Sequence, residues 1–140
     1  MSEIHKIIRE EIKSGRVLLF KKFHFHFAKP SDKRTIVLNK MDAREEILYV
    51  PVHSRKYDFL YQLGCQDNCY MLDAKQDACF EKETWIDFNL IDLKSYESLY
   101  KDIINNNLTI KSCMDNKIFK FVLDCIKKSD IANYYKRLLP

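Results

Sequence analysis

Glycine and proline are nearly missing from this chain, with two glycines and three prolines in 140 residues. That excludes collagen-like, linker-like and low-complexity architectures, which need those residues in quantity. Long apolar runs are missing too: none approaches the roughly 18–20 residues that span a bilayer. The opening MSEIHKIIREEIKSG is charged throughout, unlike a secretory leader. The expectation is a cytoplasmic protein with no membrane partner. What is present is 46% hydrophobic and 13% aromatic residues beside 31% charged ones, enough to build one core in a single domain covering 1–140.

Cysteines occur as an odd set of five, Cys65, Cys69, Cys79, Cys113 and Cys125. Without a secretory leader such a set predicts reduced thiols in a reducing compartment. Cys65, Cys69 and the later Cys79 invite a zinc reading. A structural zinc site, however, is usually built from two short knuckles, and here the second is missing. Its fourth ligand would have to come from His24 or His26, far upstream. The expectation is therefore no metal and no cofactor, with most of these cysteines acting as small buried side chains.

Charge is unevenly spread. Residues 1–40 carry ten Lys/Arg against four acids, 41–116 carry eight against fourteen, and 117–140 carry six against two. Basic ends around an acidic middle predict a dipolar surface, suited to phosphate or to an acidic protein.

Periodicity divides the chain into three parts. Over 1–15, Ile4, Ile7, Ile8 and Ile12 share a helical face, with Ser2 as N-cap and Gly15 as stop. Over 16–93 the period falls to two. Val17–Phe27 reads as a long strand and Lys29-Pro30-Ser31-Asp32 as a turn; Thr35–Leu38 and Ile47–Val50 are dense apolar strands, the second closed by Pro51. Cys69–Leu72 and Ala78–Leu90 complete about five strands. Over 94–140 the period is helical again. Ser95 caps one helix that stops at Asn105-Asn106-Asn107, Asp115 or Asn116 caps a second, and Ser129 or Asp130 breaks it before the last residues. Helix, strands, then helices means α+β, a small antiparallel sheet or partly open barrel packed by helices.

Several groupings could carry chemistry. In Phe23-His24-Phe25-His26-Phe27 the phenyls share one strand face and the imidazoles the other, about 7 Å apart. Those histidines suit a metal, a phosphate or a plain solvent-facing sheet. Val52-His53-Ser54-Arg55-Lys56 leaves a buried strand for a polar loop, a place where side chains are both held and accessible. His53 titrates near neutrality and can move protons; Arg55 and Lys56 can neutralise a phosphate. Lys33-Arg34 opens a strand and offers a forked phosphate donor. Glu81, Glu83 and Asp87 surround Trp85, and a carboxylate there could act as a base. Tyr57, Phe59 and Tyr61 could stack bases or form a buried strand face. A basic surface loop and a solvated acidic strand are the plain alternatives for these sets.

Two strand motifs resemble those of the MazF/PemK-like toxins. Lys33-Arg34-Thr35-Ile36-Val37-Leu38-Asn39 is similar to the family's R-P-A-(I/V)-V-L-S strand. Tyr49-Val50-Pro51-Val52-His53-Ser54-Arg55 is similar to its P-(L/V)-T-S turn, with His53 where the family has threonine. Phe80–Leu93 and Leu108–Ile126 resemble its late strand and its closing strand and helix. The resemblance implies an SH3-like β-barrel of about five antiparallel strands with an N-terminal helix and C-terminal helices. It further implies a metal-independent endoribonuclease of a toxin–antitoxin system, with single-stranded RNA as substrate, an antitoxin protein as partner, and a homodimer. Arg34, His53 and Ser54 are then the expected catalytic residues, and His24, His26, Lys33, Arg55 and Lys56 the expected RNA-binding residues. The alternative is a non-catalytic barrel that binds a protein partner.

Overall fold

The computed structural model describes residues 2–23, 31–41, 43–54, 63–73 and 75–140. Ser2 Oγ accepts the His5 N–H at 3.1 Å and caps α1 (Glu3–Lys6), which widens into a π-helical turn over Ile7–Glu11. Ile8 and Ile12 of the expected stripe are fully buried. Gly15 has φ +85°, donates its N–H to the Val37 carbonyl and accepts from the Met114 N–H. A side chain there would be strained and would touch the Phe119 ring at 3.6 Å. The helix itself ends earlier, at Ile12.

Eight strands follow among the described residues: β1 (Arg16–Phe23), β2 (Ser31–Val37), β3 (Glu46–Ser54), β4 (Gly64–Gln66), β5 (Cys69–Leu72), β6 (Thr84–Asp87), β7 (Asp92–Ser95) and β8 (Leu108–Cys113). They form one antiparallel sheet in the order β4-β5-β6-β3-β2-β1-β8, with β7 also on β3. The class is α+β, as expected, but the strand count exceeds five. Ser31 and Asp32 belong to β2 rather than to a turn. Only Thr84–Asp87 of the expected 78–90 strand is extended; a loop precedes it and a 3-10 turn, Phe88–Leu90, follows. Strand β8 lies inside the stretch whose period is helical, at the start of Leu108–Ile126, where the resemblance implies a closing strand and then a helix. Its short run, Leu108 to Cys113, is stabilised by pairing with β1 rather than by a local signal.

Strand β3 organises the sheet. Along one edge it pairs with β2 from Tyr49 to Pro51. Along the other it pairs with β7 from Glu46 to Tyr49, then with β6 from Val52 to Ser54. Pro51 does not close the strand, contrary to expectation. The ladder to β2 runs as far as the Thr35–Pro51 pair. Pro51 lacks an N–H, but alternation aims that position at the other edge, between the end of the β7 ladder at Tyr49 and the start of the β6 ladder at Val52. From there β6 carries the strand onward. Ile47 and Tyr49 face a cluster with Ile8, Ile12, Leu18 and Leu99; Leu48, Val50 and Val52 face another with Phe88, Phe119, Val122 and Ile126. Both faces of β3 are thus covered, which is why it reads as a continuous apolar run rather than an alternation. Each such fully buried aliphatic side chain contributes about 1.5–3 kcal/mol.

Three helices complete the described fold. Ser95 Oγ accepts from the Ser98 N–H and caps α2 (Tyr96–Ile104); Asp115 accepts from the Lys117 and Ile118 N–H groups and caps α3 (Asn116–Lys128); α4 is Asn133–Arg137. Helix α3 leaves the β8 end of the sheet and packs on β4 and β5 at its other end. A Cys65–Cys125 disulfide fastens it there, so the expectation of five reduced thiols is corrected. The partners lie 60 residues apart, and only the crossing of α3 over the β4 edge brings them together. Cys65 is thereby removed from any zinc set. Among the described residues, β4 and β8 do not pair with each other, and no helix is long and apolar enough to cross a membrane.

Candidate functional site

Where the β2–β3 ladder stops, the strands part and leave a cavity of about 350 Å³. Asp32, Lys33 and Arg34 of β2 line one wall, and Val52, His53 and Ser54 of β3 line the back. The other wall is the loop ahead of β6, with Phe80, Glu81 and Lys82, together with Thr84 at the start of β6, while Leu19 of β1, the partner of Arg34 across the β1–β2 ladder, also lines the cavity.

The loop wall is anchored by a buried carboxylate. Asp77 Oδ1 accepts the Cys79 N–H and its Oδ2 accepts the Asp115 N–H, both at 2.9 Å, and its carbonyl accepts the Phe80 N–H at 3.0 Å. Phe80 is driven into the core beside Val52 and Ile86, leaving Glu81 and Lys82 exposed at the rim. Thr84 is buried and donates its hydroxyl to the Lys82 carbonyl. The back wall is set by cross-strand pairing: His53 lies opposite Trp85 of β6, their rings 5.9 Å apart and tilted by 49°.

The charge pattern suits an anion. Lys33, Arg34 and Lys82 are set on both walls against the carboxylates Asp32 and Glu81, with a half-buried imidazole between them. Arg34 is exposed and makes no ion pair or side-chain hydrogen bond with any described residue. Extending the Thr35–Pro51 register by one step sets Arg34 level with Val52, and by two steps sets Lys33 level with His53. Because side chains alternate faces, Lys33 is the cation that shares the face of His53. By the same alternation Arg34 shares the other face with Val52 and Ser54, so the cavity at the strand ends is lined from both faces.

Of the residues expected at a site, Lys33, Arg34, His53 and Ser54 line this one cavity. His24, His26, Arg55 and Lys56 lie outside the described residues, as do Tyr57, Phe59 and Tyr61. Lys82 and Phe80 were not singled out in the sequence. Lys82 sits in an irregular polar loop, and its approach to Arg34 depends on the Asp77 anchor, which no local pattern announces.

The nearby thiols are not poised as nucleophiles. Burial pushes the Cys79 thiol up, and the neighbouring Asp77 adds to this while a hydrogen bond with Ser112 opposes it. Burial likewise raises Cys69, against a hydrogen bond from Trp85 and with Asp87 and Asp67 adding to the rise. A thiol held protonated is a weak nucleophile, and neither cysteine lines the cavity. No protein-family model matches this chain, and no curated protein matches it.

Proposed function

We propose that this cleft binds the phosphodiester backbone of single-stranded RNA and cleaves it without a metal, in the manner of the MazF/PemK-like toxins that the two strand motifs resemble. The observation that carries the reading is the gathering of Lys33, Arg34, His53 and Ser54, from two strands, around one cavity. His53 takes the proton from the ribose 2′-hydroxyl as that oxygen attacks phosphorus. Lys33 and Arg34 hold the non-bridging oxygens as negative charge grows on them, and the Ser54 hydroxyl donates to the same group. The bond from phosphorus to the 5′ oxygen then breaks. A 2′,3′-cyclic phosphate remains on one fragment, and the departing 5′ oxygen takes a proton from water in the open cleft.

The same reading treats the sheet as a partly open SH3-like barrel. It is supported by β3, which serves both halves of the sheet, and by α3, which spans from the β8 end to β4. An antitoxin protein and a second copy of the chain are the partners this assignment brings with it. Incubation with single-stranded RNA in the presence of EDTA tests the proposal. Cleavage is expected, and Arg34→Ala or His53→Ala should each slow it by about 10²–10⁴-fold. RNA left intact at enzyme excess overturns the nuclease; RNA bound but uncut leaves an RNA-binding barrel, and neither outcome leaves the protein-binding module.

A further inference from the structure

Helix α3 divides cleanly into two faces. Phe119, Val122, Leu123 and Ile126 are buried in the core. The opposite face carries Lys117, Lys120 and Lys128, all exposed, with Asp124 among them and Phe121 left 44% exposed at the edge. None of those three lysines makes an ion pair or side-chain hydrogen bond with a described residue. By contrast, Lys127 donates to the Pro140 carbonyl. From Lys117 to Lys128 the stripe runs about 16 Å along the helix.

The stripe begins at the end of α3 that is tied to the loop forming one wall of the cleft. The Asp115 N–H, two residues before Lys117, is bonded to Asp77, the residue that anchors the loop bearing Lys82. We infer that the exposed face of α3 is a second, sequence-independent RNA-binding surface, along which the phosphate backbone continues after leaving the cleft. This extends the proposed function and rests on it for the path of the strand. Lysine charge meets the phosphates, and Phe121 offers a face on which an unpaired base can stack. A lipid surface fits less well, because a helix lying in a membrane interface inserts its apolar face, and that face of α3 is already spent on the core.

Fluorescence anisotropy with 2′-O-methyl RNA, which cannot form the cyclic phosphate, reads binding apart from cleavage. The probes are a short one of about four nucleotides and a long one of about twelve, spanning ordinary single-strand site sizes. The Lys117→Gln/Lys120→Gln/Lys128→Gln variant should weaken binding of the long probe by about tenfold or more and reduce its dependence of log K on log salt by about two. Phe121→Ala should cost the long probe about tenfold. The advantage of the long probe over the short one should shrink in both variants. Circular dichroism melting confirms that each stays folded.

If the triple variant binds the long probe with the affinity and salt dependence of the parent, the surface is overturned even where Arg34→Ala shows the cleft at work. If the triple variant loses the long probe while Arg34→Ala binds both probes normally, the surface stands and the cleft reading falls. Binding to phosphatidylserine vesicles but not to RNA overturns both.

Discussion

The two halves of β3 lie in one strand yet live in different surroundings. From Glu46 to Pro51 it pairs with β7 and then with β2, the two ladders overlapping at Tyr49, and apolar clusters cover both its faces. An ion pair lies close by: Lys94 Nζ is 3.0 Å from Asp102 Oδ2 and 4.4 Å from the centre of the Phe20 ring. From Val52 to Ser54 the β2 ladder has gone, one face opens on a cavity, and Arg34 across the gap keeps its charge unspent. The difference shows how one strand can be scaffold and site together. Backbone rigidity comes from the sealed half, and access comes from the place where the β2 ladder ends.

Substitutions along that strand break the comparison most directly. Leu48→Ala, at a fully buried position, should cost about 3–5 kcal/mol in urea unfolding through lost burial and the cavity left behind. Ser54→Ala, six residues on and exposed, should change stability by less than about 0.5 kcal/mol yet weaken RNA binding. Equal stability losses at the two positions would dissolve the division between the halves.

Alkaline pH sharpens it next. Burial, with Asp92 and Asp102 adding their charge, pushes the Tyr49 phenol up to about 12 from its ordinary 10. The folded state therefore favours the neutral phenol. That contribution is complete below about pH 10 and is lost as pH rises through 12, amounting to roughly 2–3 kcal/mol. Unfolding free energy followed across this range should fall in the parent. Tyr49→Phe should flatten the slope; an unchanged slope in that variant would assign the loss to other groups.

Much of this architecture is legible in the residues, and the failures have physical causes. The caps Ser2, Ser95 and Asp115 act through local hydrogen bonds, so short windows find them. The dense runs of β2 and β3 were read as strands because two covered faces leave no polar positions to alternate. Pro51 departs from the rule that proline ends a strand because its missing N–H faces the gap between the β7 ladder, which ends at Tyr49, and the β6 ladder, which starts at Val52, so no rung is lost. The disulfide and the Asp77 anchor depend on partners tens of residues away, where no periodicity reaches, and β8 is legible only through the likeness of Leu108–Ile126 to a closing strand and helix. The same holds for the site. Lys33, Arg34, His53 and Ser54 stand out as residue types at strand ends, whereas Lys82 enters only through the tertiary fold.

Thr35 marks the seam between the two halves and yields the smallest effect. It is fully buried in the last rung opposite Pro51, and its hydroxyl donates to the Leu18 carbonyl of β1 at 3.3 Å. Thr35→Val keeps the branched shape that suits a strand and removes only that hydrogen bond. The carbonyl remains inside the β1–β2 ladder, so the loss should be about 1 kcal/mol in urea unfolding. Rigidity of the sealed half reaches the cleft through this rung alone on the β2 side. RNA cleavage by Thr35→Val should then stay within about twofold of the parent, since the rung persists. A fall as deep as that of Arg34→Ala would mean that the hydroxyl itself sets the angle at which the two walls part, and the site would begin one residue earlier than the ladder suggests.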